Sequence, residues 1–173
     1  MKNIILVGMP GCGKSTLGVI LAKELGLDFI DTDIVIQNMT GELLQTTLER
    51  EGVTGLLDRE QQAIVSLDFS ENGRKSVVST GGSAVLREES VKHLKRNGVC
   101  VYIKLELSEI EKRINNRSTR GIAAGKDETL ADIYAYRTPF YENCADVVVD
   151  CDGQDVSTNV ERIKNILIQE KLI

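Results

Sequence analysis

The sequence predicts a single α/β domain over residues 1–173, built as a five-stranded parallel sheet in a three-layer α/β/α arrangement. Three observations predict it. Short apolar runs alternate with segments of helical period along the whole chain, which is the pattern of strands and covering helices with right-handed crossovers. Glycine turns follow two of the apolar runs, at Gly8 and at Gly81-Gly82. The first of these turns, Gly8-Met9-Pro10-Gly11-Cys12-Gly13-Lys14-Ser15, fits the phosphate-binding pattern G-x-x-x-x-G-K-[ST].

Each element has its own signal. Asn3-Ile4-Ile5-Leu6-Val7 is a short apolar run ending at a glycine and reads as a buried strand. Thr16 to Leu25 carries apolar residues at 17, 20, 21 and 25, and Gly26 stops it. Leu27-Asp28-Phe29-Ile30 is a second strand that delivers Asp31-Thr32-Asp33 at its carboxyl end, where ligands of open α/β sheets collect. Residues 34–51 read as helical pieces broken at Thr40-Gly41, and Thr54 to about Ser70 as a further helix. Ser76-Val77-Val78-Ser79 is the third strand, Glu88 to Asn97 a helix stopped by Gly98, and Val99 to Ile103 the fourth strand. Ser108-x-x-Glu111 reads as a capping box. Residues 115–128 lack periodicity and carry three cations, so they are expected to form a mobile loop. Thr129-x-x-Asp132 caps the next helix, in which Pro139 should kink the axis or mark a break. Asp146 to Asp150 is the fifth strand, and a last helix starts near Ser157 with Val160, Ile163, Ile166 and Leu167 on one face.

Composition removes several classes of function. With 42% hydrophobic and 27% charged residues the chain is not of disordered type. A net charge of −5 leaves no nucleic-acid footprint in the totals and gives no steering toward an anionic membrane. No apolar run is long enough to span a bilayer. The chain runs from Met1-Lys2 straight into the first strand, so no signal peptide is expected. Cys12, Cys100, Cys144 and Cys151 form no C-x-x-C pair, and the expectation is a cytoplasmic protein with reduced thiols. Cys12 is either oxidation-sensitive or simply a small residue that fits the loop. No His/Cys cluster is available for zinc, and His93 reads as a surface residue.

The glycine loop carries the chemistry. Glycines let successive backbone N–H groups curl around a polyphosphate, and the helix that begins at Lys14 points its positive end at the same anion. Gly11, Cys12, Gly13, Lys14, Ser15 and Thr16 are therefore the candidate nucleotide contacts. Lys14 should reach the β- and γ-phosphates, and the Ser15 hydroxyl should ligate Mg²⁺, making ATP and Mg²⁺ the expected cofactors. Asp31 and Asp33 end the second strand; the plainer reading is that they merely cap a helix.

Taken together, the loop, Asp31-Thr32-Asp33, Asp58-Arg59-Glu60, Gly81-Gly82, Arg113, Arg120 and Arg137-x-Pro139-x-Tyr141 resemble the shikimate kinase family, small P-loop kinases related to nucleoside monophosphate kinases. The matched motifs run from Gly8 to about Tyr141, and both prolines of the chain fall inside them. The resemblance implies a P-loop kinase fold and ATP-dependent phosphorylation of shikimate at its 3-hydroxyl, in aromatic amino-acid biosynthesis. It places Asp31 near the metal and Asp33 on the acceptor hydroxyls as catalytic base. It puts Arg120 on a lid that closes over the γ-phosphate, Arg113 against adenine with Gln154 nearby, and Gly81, Gly82 and Arg137 on the acceptor. Residues of about 34–72 would form the acceptor-binding region and about 115–128 the lid. The expected partner is a small-molecule alcohol, with no nucleic acid and no membrane, and the expected state is a monomer. An Asp with an ordinary pKa near 4 is a weak base, so positioning would be its larger contribution.

The departures from that pattern fall on the acceptor side. Leu56-Leu57 stand where the family has Phe-Arg, so a carboxylate-clamping guanidinium becomes the alkyl side chain of Leu57. Ser83 replaces the third glycine of the second turn, which is tolerable if its φ is negative. Arg120-Gly121-Ile122-Ala123 replaces Arg-Pro-Leu-Leu in the lid. Two alternatives to the shikimate reading stay open: a sister kinase acting on a different small alcohol, and a catalytically weak nucleotide-binding homologue.

Overall fold

A computed structural model describes residues 2–69, 75–114, 121–125, 127–151 and 155–173. Five strands, β1 (Asn3–Val7), β2 (Asp28–Asp31), β3 (Ser76–Ser79), β4 (Gly98–Lys104) and β5 (Val147–Asp150), form one sheet in the order β2-β3-β1-β4-β5. Every pairing is parallel. The described helices are α1 (Lys14–Leu25), α2 (Thr32–Thr40), α3 (Leu44–Val65), α4 (Glu88–Asn97), α5 (Leu107–Arg113), α6 (Leu130–Cys144) and α7 (Val156–Gln169), with a 3₁₀ turn over Ala84–Leu86.

The central strand shows why this is a three-layer protein. Ile4, Ile5, Leu6 and Val7 are all fully buried, so alternate side chains are covered on both faces. α1 packs with α7, and α3 packs with α2 and α4. The chain crosses from one side of β1 to the other between β3 and β4, and the glycine loop leaves β1 at that switch point.

Most local signals produce the expected element, and the exceptions have physical causes. The Thr129–Asp132 capping box forms, with Asp132 N donating to Thr129 Oγ1 at 3.1 Å and Thr129 N donating to Asp132 Oδ2 at 2.8 Å. The one expected at Ser108 does not: α5 starts two residues earlier, after Glu106, with no side-chain cap. Pro139 does not end its helix, which runs on to Cys144. α3 continues through Gly52, which takes φ 72 and ψ −176, so two helical rods meet at a kink and the second stops at Val65 rather than near Ser70. His93 is half-buried, its Nε2 3.1 Å from Leu67 O and its ring 5.9 Å from that of Phe69. All four cysteines are buried free thiols.

Candidate active site

β1 ends where the phosphate loop begins, and the loop is shaped before any ligand arrives. Gly11 and Gly13 sit at φ 80 and φ 100, left-handed conformations that favour glycine. Cys12 N donates to Met9 O at 3.2 Å, closing the turn. The Cys12 side chain lies beneath the loop, 1% exposed and 3.7 Å from Lys14 Nζ. It therefore packs the loop from inside and does not line the cavity above it. Lys14 is only 7% exposed, and its ammonium donates to Gly8 O at 2.8 Å and Met9 O at 2.9 Å. The loop carbonyls thus hold the cation at the head of α1, where N–H groups and the helix dipole favour an anion.

Ser15 and Thr16, in the first turn of α1, line the same cavity. Ser15 Oγ lies 3.2 Å from Ser79 Oγ at the end of β3, a partner that sequence spacing did not suggest. Asp31 closes β2 and caps α2, its Oδ1 accepting from Asp33 N at 3.0 Å. The plainer reading of Asp31 is thus true of it, and it stands behind the cavity wall rather than in it. Asp33 is in the wall. Burial, with Asp31 beside it, pushes the Asp33 carboxyl up to about 6 against the pull of Lys14. It is a stronger proton acceptor than the ordinary Asp that the sequence alone implied.

The second glycine turn faces the first. Gly81 N donates to the buried Thr32 Oγ1 at 3.0 Å, and Thr80 Oγ1 donates to Leu6 O at 3.0 Å, fixing the turn to β1 and α2. A Cβ on Gly81 would lie 2.1 Å from Glu60 Oε1, and one on Gly82 would lie 2.6 Å from Pro10 Cδ. Gly82 is therefore closed to any side chain, whereas at Gly81 the Glu60 carboxylate would have to swing aside. Ser83 has φ −104, so its replacement of a glycine strains nothing. Its hydroxyl donates to Glu60 Oε2. Burial pushes the Glu60 carboxyl up to about 7, with the Ser83 bond opposing the shift and Asp33 adding to it. Arg137 is 3% exposed and donates to Ala123 O, while Tyr141 donates to Gly82 O and stacks on Tyr102 at 5.2 Å.

These parts enclose one cavity of about 460 Å³. The phosphate loop, Ser15, Thr16 and Arg113 line one end; Asp33, Glu60, Gly81, Gly82, Ser83 and Arg137 line the other. Arg113, at the end of α5, reaches the loop: its Nη1 would lie 3.6 Å from a Cβ on Gly13. Ile36, Leu44, Leu56 and Ile122 add an apolar side. Gly121 N donates to Gln45 Oε1 at 3.1 Å, so the stretch after the expected lid arginine already touches the start of α3. One expectation needs correction. Leu57 is half-buried and outside the wall; Leu56, its neighbour on α3, is the leucine that lines it, because consecutive helical residues point in directions about 100° apart. Arg120 and Gln154 lie outside the described residues. Glu60 and Ser83 were legible only as a motif member and a departure, since no spacing rule links positions 23 residues apart.

The sequence profile of shikimate kinase matches residues 10–168. The chain belongs to the shikimate kinase family. A shikimate kinase of Pseudomonas fluorescens is 39% identical over 154 residues, 88% of each chain. The enzyme of Francisella tularensis subsp. novicida is 34% identical over 174 residues, 99% of this chain and 98% of that one. Among solved structures, shikimate kinase from Acinetobacter baumannii in complex with shikimate superposes with a TM-score of 0.89 at 28% identity, covering 100% of this chain and 96% of that one. Membership of the shikimate kinase family makes this chain a P-loop kinase whose phosphate donor is ATP, and it accounts for the two-ended cavity. Among the described residues, no helix is long and apolar enough to cross a membrane.

Proposed function

We propose that this kinase transfers the γ-phosphoryl group of ATP to the 3-hydroxyl of shikimate. The observation that carries the reading is the single cavity in which Lys14 and Ser15 stand at one end and Asp33 and Arg137 at the other. Phosphoryl transfer is chiefly positioning and charge stabilisation, and the cavity supplies both. The loop N–H groups and Lys14 bind the β- and γ-phosphates. Arg113 covers the adenine side, and the family resemblance assigns Gln154 to the same base. Arg137, buried and aimed into the acceptor end, pairs with the shikimate carboxylate. Asp33 orients the hydroxyl and accepts its proton as the new P–O bond forms and the bond to the ADP oxygen breaks. Its raised pKa suits that task near neutral pH. Arg120 would close over the transferring group.

Mg²⁺ fits the donor set. The Ser15 hydroxyl lines the cavity, and Asp31 stands one layer behind it with one oxygen engaged in capping. One hydroxyl, one carboxylate and phosphate oxygens are the way this cation is ordinarily held, and it would neutralise charge on the phosphates. The setting is the cytoplasm, the protein acts as a monomer, and the product enters aromatic amino-acid synthesis.

A second reading rests on Leu56 and Leu57. With Leu57 at the family's second clamp position and outside the wall, no guanidinium reaches the acceptor from that position, and the helix presents the alkyl group of Leu56 instead. A charged hydrogen bond of about 1.5–3 kcal/mol is missing, equivalent to roughly 10- to 100-fold in affinity. That favours a related alcohol with one apolar edge. An ADP-release assay with MgATP over shikimate, quinate, gluconate, homoserine and simple polyols decides between them. Shikimate-dependent turnover is expected. Its absence at millimolar shikimate, with turnover of another alcohol, establishes the second reading.

A further inference from the structure

The hydroxyl of Ser15 faces the cavity, and a hidden hydroxyl stands behind it. Ser15 is exposed in the first turn of α1 and lines the cavity. Ser79 is 1% exposed at the end of β3 and outside the wall, yet its Oγ lies 3.2 Å from Ser15 Oγ. Its place is fixed from both sides: Ser79 stands in register with Leu6 of β1 and with Asp31 of β2. The next residue, Thr80, donates to Leu6 O from its N–H at 3.2 Å and from its hydroxyl at 3.0 Å, so β3 is locked to β1 where it ends. The sheet thereby sets one immobile oxygen behind the serine assigned to the metal, on the strand next to the aspartate assigned to the same metal.

A serine hydroxyl carries one proton and two lone pairs, and the proton turns about the C–O bond to suit its surroundings. To ligate a cation, Ser15 must present lone pairs to the cavity, and its proton then needs an acceptor on the far side. Ser79 Oγ is on that side. We propose that Ser79 accepts a hydrogen bond from the Ser15 hydroxyl and so holds the Ser15 lone pairs toward the cavity, ready for the cation that arrives with the nucleotide. Ser79 is then a positioning residue: it does not line the cavity, and it acts through Ser15 alone. Partners of this kind, which orient a ligating side chain without touching the ion, contribute measurably to metal affinity. The inference rests on the assignment of Mg²⁺ to Ser15 and is independent of which alcohol is the acceptor.

The test measures ADP binding by calorimetry, once with Mg²⁺ and once with EDTA, in wild type, Ser79→Ala, Ser79→Thr and Ser15→Ala. The ratio of the two affinities reads the share that the cation adds. Ser79→Ala should lower that ratio about 3- to 10-fold, the worth of one hydrogen bond between neutral groups, with metal-free ADP affinity within about twofold of wild type. In turnover the same variant should need more Mg²⁺ for its half-maximal rate, and excess Mg²⁺ should recover most of kcat. Ser79→Thr keeps the oxygen and should keep the ratio. A merely structural role for Ser79 would weaken ADP binding alike with and without the cation. That result, an unchanged ratio in Ser79→Ala, or an equal loss in Ser79→Thr overturns the proposal. Ser15→Ala, which should remove most of the enhancement, separates this inference from the metal assignment beneath it. If Ser15→Ala loses the enhancement and Ser79→Ala keeps it, the role of Ser79 alone falls. If Ser15→Ala keeps it, or wild type shows none, the assignment of Mg²⁺ to Ser15 falls and the role of Ser79 with it.

Discussion

The Tyr141 phenol donates to the carbonyl of Gly82, joining the last turn of α6 to the turn that floors the acceptor end of the cavity. Tyr141 is fully buried, and burial holds its hydroxyl protonated far above neutral pH, so it is a permanent donor. Tyr141→Phe leaves the Gly82 carbonyl without this donor. We predict a loss of about 0.5–1.5 kcal/mol in urea unfolding, the net worth of one hydrogen bond to a half-buried acceptor, and a raised acceptor KM. Stability equal to wild type would show that the bond is not made in solution.

Among the described residues Lys14 is the only ammonium in the cavity wall, and it is held by two loop carbonyls. Lys14→Ala should lower kcat by at least about 100-fold, comparable to removal of a single preorganised donor at a developing anion. Tm should change much less than activity. Both are read by assay and by thermal melt, and retention of more than a tenth of the wild-type kcat contradicts the role assigned to Lys14.

Glu60 makes stability depend on pH in an unusual direction. Its carboxyl is raised from 4.5 to about 7 by burial, so between those values the folded state holds a proton that the unfolded chain has released. Stability from this group is full below pH 4.5 and is lost as pH rises through 7. The span corresponds to about 3 kcal/mol. In Glu60→Gln, denaturant unfolding between pH 5 and 7.5 should show this downward slope removed. An identical slope in both proteins would place the charged form of Glu60 in the folded state.

Arg137 makes a bond to Ala123 O and faces the acceptor end with its remaining donors. Lysine cannot reproduce that fork, because a single ammonium has no planar pair of donors. Arg137→Lys should raise the shikimate KM by about 10- to 100-fold with the ATP KM unchanged. Equal effects on both substrates would mean that Arg137 supports the fold of the cavity and not the acceptor.

Much of this site is legible in the linear sequence, and the part that is not has a common cause. The loop from Gly8 to Ser15, the paired aspartates after β2 and the Arg137-to-Tyr141 segment are local patterns, and local patterns survive in sequence. The Ser15–Ser79 contact and the Ser83–Glu60 bond join residues 64 and 23 positions apart, where no period carries information. Leu56 and Leu57 differ only in helix phase, and which of the two faces the cavity follows from how α3 packs, which spacing alone does not give. Asp33 reads as an ordinary carboxylate until its burial and its neighbour Asp31 are known.

The two ends of the cavity are separated by very little. The ring of Pro10 in the phosphate loop abuts Gly82 so closely that not even a methyl group fits between them. Any displacement of the loop toward the acceptor turn would press on it first through this one proline ring. By thermodynamic reciprocity, whatever factor ATP contributes to acceptor affinity, the acceptor contributes to ATP affinity. The missing methyl at position 82 lets the two turns touch directly, so a coupling carried there would be steric and not electrostatic.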